Sequence, residues 1–484
     1  MNPYQILGIL IAYFGVLIFI SWVTSKDSNK QSFYSGNKKS PWFLVAFGMI
    51  GASLSGVTFL SVPGAVASSH FGYFQTVLGY MVGYMVIALV LLPLYYRKNL
   101  TSIYTYLEER FGNNTYKTGA AFFLLSRVIG ASFRLFLIAG VLHFAVFEHW
   151  ELPYAFTVAV TILLIFTYTT KSGIKTIVYT DALQTFFLIL SVVLTIVYIT
   201  SSMDWSFGEM VSALQNDPNT QIFHTEGNGG NVFWKRFIGG AFIALAMTGL
   251  DQDMMQKNLS ISNLNSAQRN IYVQMGLFLI VNIVFLSLGA LLYQYAAANN
   301  ITAEGTGDHL FTVIALQNAT PFIGVFFVIG LVAAAYSSAD SALTALTTSF
   351  CVDFLGFERN KETNTKTRRL VHIGFAFLLF VVVLVFKAVN NDSVIEELFK
   401  VAGFTYGPLL GLFAFGILTK RKFRDSNVLF IAFGAILLTA LYYYRMPYLI
   451  EGFKAGFELI IINGLITFAL LYLDSILAKN TSTK

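Results

Sequence analysis

The 484 residues are 56% hydrophobic and only 12% charged, half the ~25% charge of an ordinary soluble domain, which excludes a water-soluble globule and points to a chain that lives in a bilayer. A net charge of +6 would suit a nucleic-acid binder only if the cations shared one surface. The single cysteine, Cys351, excludes an internal disulfide and any cysteine-built metal cluster or redox pair.

In chain order, runs of about 20 apolar residues, long enough to cross the hydrocarbon core as helices, predict thirteen spans: 4–24, 41–68, 73–95, 118–147, 153–170, 176–200, 232–250, 270–297, 316–352, 369–389, 395–419, 426–445 and 455–477. The leading MNPYQ carries no basic residue, and the run behind it is too long for a signal peptide, so span one reads as a retained transmembrane helix. The stretch 99–111, NLTSIYTYLEERF, reads as an amphipathic helix on the cytoplasmic surface. The connections form two alternating sets. Lys and Arg crowd KDSNKQSFYSGNKK, RKNL with EERFGNNTYK, TTKSGIK, QKNLSISNLNSAQR, ERNKETNTKTRR, TKRKFR and AKNTSTK. The other set is SSHFG, FEHWELP, the acidic 202–230 loop, AAANNITAEGTGDH, NNDS and PYLIEGFKAG. The positive-inside rule then places the N-terminus outside and the C-terminus in the cytoplasm. The basic charge is topology, with no nucleic-acid patch implied.

Span two holds GMIGASLSG (48–56), and span seven holds RFIGGAFIALAMTGLDQD with Gly239, Gly240 and Gly249. Glycine inside a helix costs ~1 kcal/mol relative to alanine, so each cluster marks close helix packing or local unwinding. As a pair five spans apart, they point to an inverted-repeat carrier whose unwound carbonyls hold a cation at the midplane. Span nine carries AAAYSSADSALTALTTS (333–349). At helical spacing Ala334, Ser337, Ser338, Ser341 and Thr344 share one face, with Asp340 at its edge. Serines in such helices usually bond back to their own carbonyls. That does not dispose of Asp340, since an ionised carboxylate at membrane depth must be paired or wet. Hard oxygen ligands beside an acid suit a small cation such as sodium. Asp181, in VYTDALQTFF near the inner end of span six, is an interfacial acid or part of the cation path. Arg127 and Arg134, seven apart on span four, snorkel, pair with Asp340 or Asp181, or face an anionic solute. Lys400, beside Glu396 and Glu397, is solvated or faces the same pocket.

LSVPGAV (60–66), GLDQDMMQK (249–257) and AAAYSSADS (333–341) resemble the sodium/solute symporter family, which includes carriers of sugars, proline, pantothenate, iodide and sialic acid. The similarity runs across the whole chain. It implies an all-α integral membrane protein of the leucine-transporter type, one transporter domain in which 41–200 and 232–419 are inverted five-helix repeats, 4–24 an extra first span and 426–477 two additional spans. It implies a main sodium site from the carbonyls of Gly51, Leu54 and Ala334 and the hydroxyls of Ser337 and Ser338. A second sodium site would use Asp181, Ser337 and Ser341, with Asp340 standing where such members have serine. The implied pocket takes Ser53, Ser55, Thr58, Gln75, Arg134 and Lys400, while the asparagine and tyrosine of the sugar carriers fall at Ala244 and Met247.

The expectation is a sodium-coupled symporter, not an enzyme, in the cell membrane (a bacterial inner membrane) as a multi-pass protein. Sodium is the co-transported ion and the partners are a small polar solute and lipid, with no nucleic acid and no obligate protein partner. The cations near the pocket put a sugar acid such as sialic acid or another carboxylate first, with a neutral sugar or an amino acid as the alternative. A channel would need a filter repeated by symmetry. A membrane enzyme would need a nucleophile–base pair or metal cluster, and the six histidines show no H-x-x-x-H or H-E-x-x-H spacing.

Overall fold

A computed structural model describes residues 3–25, 38–54, 56–227, 229–301, 307–357, 365–389, 394–451 and 453–481, and all regular structure among them is helical. The main helices are α1 (Pro3–Ser25), α2 (Trp42–Leu54), α3 (Gly56–Gly64), α4 (Tyr73–Val86), α5 (Asn113–Leu142), α6 (Tyr154–Ser202), α7 (Phe233–Ala244), α8 (Gln252–Leu259), α9 (Leu264–Ala298), α10 (Pro321–Ser349), α11 (Thr365–Val389), α12 (Val394–Leu418), α13 (Val428–Leu449) and α14 (Leu459–Thr481).

Among the described residues, ten helices are long and apolar enough to cross a membrane, or eleven if the bent pair α2–α3 is one span. The expectation of thirteen crossings meets this count at two places. Predicted spans five and six are one continuous helix, the 49-residue α6. Its predicted loop, TTKSGIK, has no proline, and one glycine does not by itself end a helix. At 1.5 Å per residue α6 would run ~73 Å if straight, more than twice the ~30 Å hydrocarbon core. Only Thr176–Ser202 is full-length by the membrane criterion, with Tyr154–Thr167 a shorter apolar piece. Predicted span seven, 232–250, holds the 12-residue α7 and the turn after it, while α8 begins beyond its predicted end. The surface helix expected over 99–111 is also different: only Thr105–Arg110 is helical. Ile103, Tyr104 and Leu107 are buried, and Arg110 Nη2 donates to the carbonyls of Thr419 (2.8 Å) and Arg421 (2.9 Å). That segment is packed into the protein.

One glycine of each cluster lies at a helix break, Gly56 after α2 and Gly249 after α7, while Gly239 and Gly240 sit inside α7. The axes of α2 and α3 differ by 56°. After α7 the chain makes a wide turn over Leu245–Gly249 and reaches extended backbone at Asp251 (φ −100°, ψ 121°). A break frees carbonyls and N–H groups that must find partners. Tyr95 Oη donates to the Gly249 carbonyl and Tyr104 Oη to that of Leu250, each at 2.9 Å. The Asp251 carboxylate caps α8, accepting from the N–H groups of Asp253 (2.9 Å) and Met254 (3.2 Å).

The centre of the molecule is α10, in which every residue from Gly330 to Ser349 is buried. Serine and threonine are therefore surrounded by protein there, which explains a polar stripe in so apolar a chain. Its largest neighbour is α6, and α2, α5 and α11 also pack on it. Beside this centre, α4 and α7 meet without intervening side chains. A Cβ on Gly79 would lie 2.0 Å from the Phe237 carbonyl oxygen, and one on Gly240 would lie 2.2 Å from that of Thr76. At the α3–α4 connection His70 adopts φ 55°, ψ −148°, a backbone region essentially reserved for glycine that costs of order 1–3 kcal/mol for other residues.

Candidate functional site

The broken end of α2 faces the hydroxyl stripe of α10. Ser338 Oγ donates to the Ala52 carbonyl at 3.5 Å, and Ser337 Oγ to the Ala334 carbonyl at 3.4 Å. Both contacts are longer than a well-made O–H···O bond of 2.5–3.0 Å, so these oxygens are only lightly engaged. The observed contact is to Ala52, which lies between the predicted ligands Gly51 and Leu54. Gly51 is pinned to α6: its N–H donates to Thr185 Oγ1 at 3.1 Å, and a Cβ there would sit 2.1 Å from that atom. Leu54 is the last residue of α2 and fully buried. Of the predicted ligands on α10, Ser338 is the one whose hydroxyl touches the end of α2, while Ser337 bonds back within its own helix.

The acids are arranged otherwise than expected. Ser341 Oγ reaches Asp181 Oδ2 at 3.5 Å, bringing two predicted second-sodium residues together, but Lys257 Nζ lies 2.8 Å from the same oxygen. Both side chains are almost fully buried. A sodium beside that ammonium would meet a like charge worth ~4 kcal/mol at 4 Å and an effective dielectric of 20. Asp340 is fully buried on α10, and its carboxylate accepts from the Ser341 N–H. Lys257 Nζ also lies 3.9 Å from Asp253 Oδ1. Arg127 forms an ion pair with Asp253 and approaches Asp251 Oδ2 at 3.7 Å, and Tyr406 Oη donates to Asp251 at 2.6 Å. Arg127 therefore neither snorkels nor pairs with Asp340 or Asp181. It belongs to a chain of buried charges running from α12 through α5 and α8 to α6. Sequence reasoning quoted GLDQDMMQK yet missed what its charges do. The available signal was Asp253 and Lys257 at i, i+4, the spacing of an intrahelical ion pair.

Between the breaks lies a cavity of about 70 Å³, with Ala52, Ser53, Thr58, Arg134, Ala244 and Met247 in its wall together with tyrosine and phenylalanine rings. It is smaller than the ~300 Å³ at which ordinary ligand pockets begin, so a solute would enter by displacing side chains. Ser53, Thr58 and Arg134 line this cavity, as do Ala244 and Met247. Ser55 lies outside the described residues. Gln75 is not in the wall: its amide donates to the carbonyls of Gly72 (3.2 Å) and Asn231 (3.0 Å) and accepts from the His224 N–H (3.2 Å). Lys400 is not in the wall either, its Nζ standing 5.6 Å from the Tyr443 ring centre. Arg134 is buried, and among the described residues it has no ion-pair partner and its Nε no hydrogen-bond partner.

Paired breaks around a small pocket walled by hydroxyls, Arg134 and aromatic rings, with lightly engaged oxygens at one break, are the architecture of a cation-coupled secondary carrier. The sequence model of the sodium:solute symporter family matches residues 33–425, and the chain belongs to that family: it is a sodium-coupled membrane transporter and not an enzyme. The sodium/sialic acid symporter NanT of Aliivibrio fischeri is 24% identical over 441 residues, 87% of this chain and 84% of that protein. The mouse sodium-coupled monocarboxylate transporter 1 is 24% identical over 427 residues, 85% of this chain and 68% of that one. Among solved structures, the substrate-bound outward-open state of a Na+-coupled sialic acid symporter superposes with a TM-score of 0.82 at 19% identity, covering 98% of both chains. At that identity the likeness establishes the fold, which is of the leucine-transporter type.

Proposed function

We propose that this carrier couples entry of sodium to import of a small organic anion, a sugar acid or another carboxylate. The observation that carries this is Arg134, a buried guanidinium in the cavity wall with no ion-pair partner among the described residues. Such a charge is costly unless an anion meets it, and a carboxylated solute would. The relatives named for sialic acid and monocarboxylates support the same class.

In this reading sodium binds the carbonyls at the end of α2, from Gly51, Ala52 and Leu54, together with the Ala334 carbonyl and the hydroxyls of Ser337 and Ser338. It ties α10 to the first break and orders the wall that Ser53 and Thr58 supply. Solute and sodium then raise each other's affinity by the same factor, and each sodium crossing the membrane supplies about 2.3 kcal/mol per 100 mV. Asp181 is already neutralised by Lys257, so a single sodium accompanies each solute. The protein crosses a cell membrane many times with its N-terminus outside, and the repeats are 41–200 and 232–419.

The test is uptake into proteoliposomes under an imposed sodium gradient, offering sialic acid, short monocarboxylates, neutral sugars and amino acids side by side. Sodium-driven accumulation of an acid, with neutral analogues left outside, is the expected result. Accumulation of a neutral sugar alone would overturn the anion assignment.

A further inference from the structure

The loops preceding α4 and α7 carry an arrangement that solute binding does not use. The rings of His70 and His224 stand with centroids 5.5 Å apart, inclined at 74°. Three polar atoms of these loops are each buried and without a hydrogen-bond partner among the described residues: His70 Nδ1, His224 Nε2 and Asn231 Oδ1. Two of the remaining polar edges are engaged. Asn231 Nδ2 donates to the Ser69 carbonyl at 3.1 Å, which fixes the amide and leaves its oxygen uncommitted. The His224 ring has a hydrogen bond to the backbone of Gln221, as metal-ligating histidines commonly do through their second nitrogen. Asn231 also lies against the His70 turn, since a Cβ on Gly72 would be 2.3 Å from its Oδ1.

Two imidazole nitrogens and an amide oxygen, each able to present a lone pair and none with a partner, are an unusual grouping. A hydroxyl or amide could satisfy one of them, but a divalent cation can satisfy all three. A zinc ion sits 2.0–2.1 Å from an imidazole nitrogen, so two rings bound at a tetrahedral angle have centres roughly 5.2 Å apart. The observed 5.5 Å matches that separation. The scaffold is braced independently of any ion. Gln75 ties Gly72, Asn231 and His224 together through three hydrogen bonds, and Phe71 N–H donates to the Gln221 carbonyl at 3.2 Å. His70 is held in a backbone conformation that glycine would adopt without strain. Arg236, whose positive charge acts on the His224 ring, has its guanidinium carbon 4.9 Å from the centre of the Phe457 ring.

We propose that His70, His224 and Asn231 form a site for a borderline divalent metal of the zinc class, completed by water, which clips the loop before α4 to the loop before α7. Imidazole ligands select such metals, whereas magnesium and calcium demand oxygen-rich shells. Because the glycine seam already locks α4 to α7, the bound ion would brace that pair as one unit.

The experiment is calorimetric titration of the full-length purified protein with Zn2+, alongside its melting temperature and the visible absorption of added Co2+. Wild type is expected to bind one Zn2+ per chain, to melt higher when loaded and to give a Co2+ coordination spectrum, with Mg2+ producing none of these. His224→Gln should lower the affinity at least tenfold. His70→Gly should do the same while melting higher than wild type in the metal-free state, since it releases the strained backbone; that separates loss of a ligand from loss of fold. Absence of a saturable site in wild type, or undiminished binding in both variants, would overturn the assignment. None of these readings involves transport, so the outcome stands apart from the fate of the solute proposal.

Discussion

Ser337 and Ser338 each hold a neighbouring carbonyl at a distance where little is gained, so replacing both with alanine should leave stability near wild type. The sodium concentration for half-maximal uptake should rise severalfold, and solute affinity should fall only at low sodium, as reciprocal coupling requires. An unchanged sodium dependence in the double variant would move the ion elsewhere. Arg134 makes the converse case. With no acid paired to it among the described residues, Arg134→Gln removes a costly buried charge and should not lower the melting temperature. It should abolish uptake of the acidic solute while sodium still binds. If Asp340→Asn restored transport in that variant, Arg134 would be answering a protein carboxylate instead.

At the scale of elements, α8 is the piece most tightly constrained, because its Asp253 and Lys257 grip α5 and α6 while Asp251 at its N-cap holds α12. Lys257→Met strands Asp181 in a buried site, and breaking such a pair from one side costs about 3–5 kcal/mol. The variant should therefore melt well below wild type, and Asp181→Asn added to it should recover most of the loss. The Hill coefficient for sodium in wild type should be near one; a value near two would show that Lys257 and a second sodium share the carboxylate. These links were the least legible part of the sequence. Arg127 and Asp253 lie 126 positions apart, and nothing in a single chain tells one buried cation which of several acids it will meet. The breaks were legible because a glycine stands at each, Gly56 and Gly249, and glycine is a local signal. The continuity of α6 was not, since two lysines in TTKSGIK look like a loop while helical hydrogen bonding passes through such residues at little cost. Gln75 and Lys400 were placed in the pocket by resemblance, and a matched position does not say which way a side chain turns.

For the whole molecule, the alternation of basic and non-basic connections predicts its orientation, and one residue makes that easy to check. Cys351 is fully buried, so the native chain should give almost no background with impermeant thiol reagents. Ser212→Cys, on the exposed face of the helix Phe207–Asn216, should label on intact cells, and Lys422→Cys only after permeabilisation. The reverse pattern would invert the topology. The buried charges at α8 bear on every such measurement in another way. Mobile ions screen charges in water over about 8 Å at physiological ionic strength, but the side chains of Lys257, Asp181 and Asp253 are only 1–3% exposed, leaving no room for a counter-ion atmosphere between them. Raising total salt should loosen a surface pair such as Lys98–Glu109 and leave this inner clamp as strong as before. Replacing sodium with choline at constant ionic strength therefore removes one ligand without melting the framework that reads it.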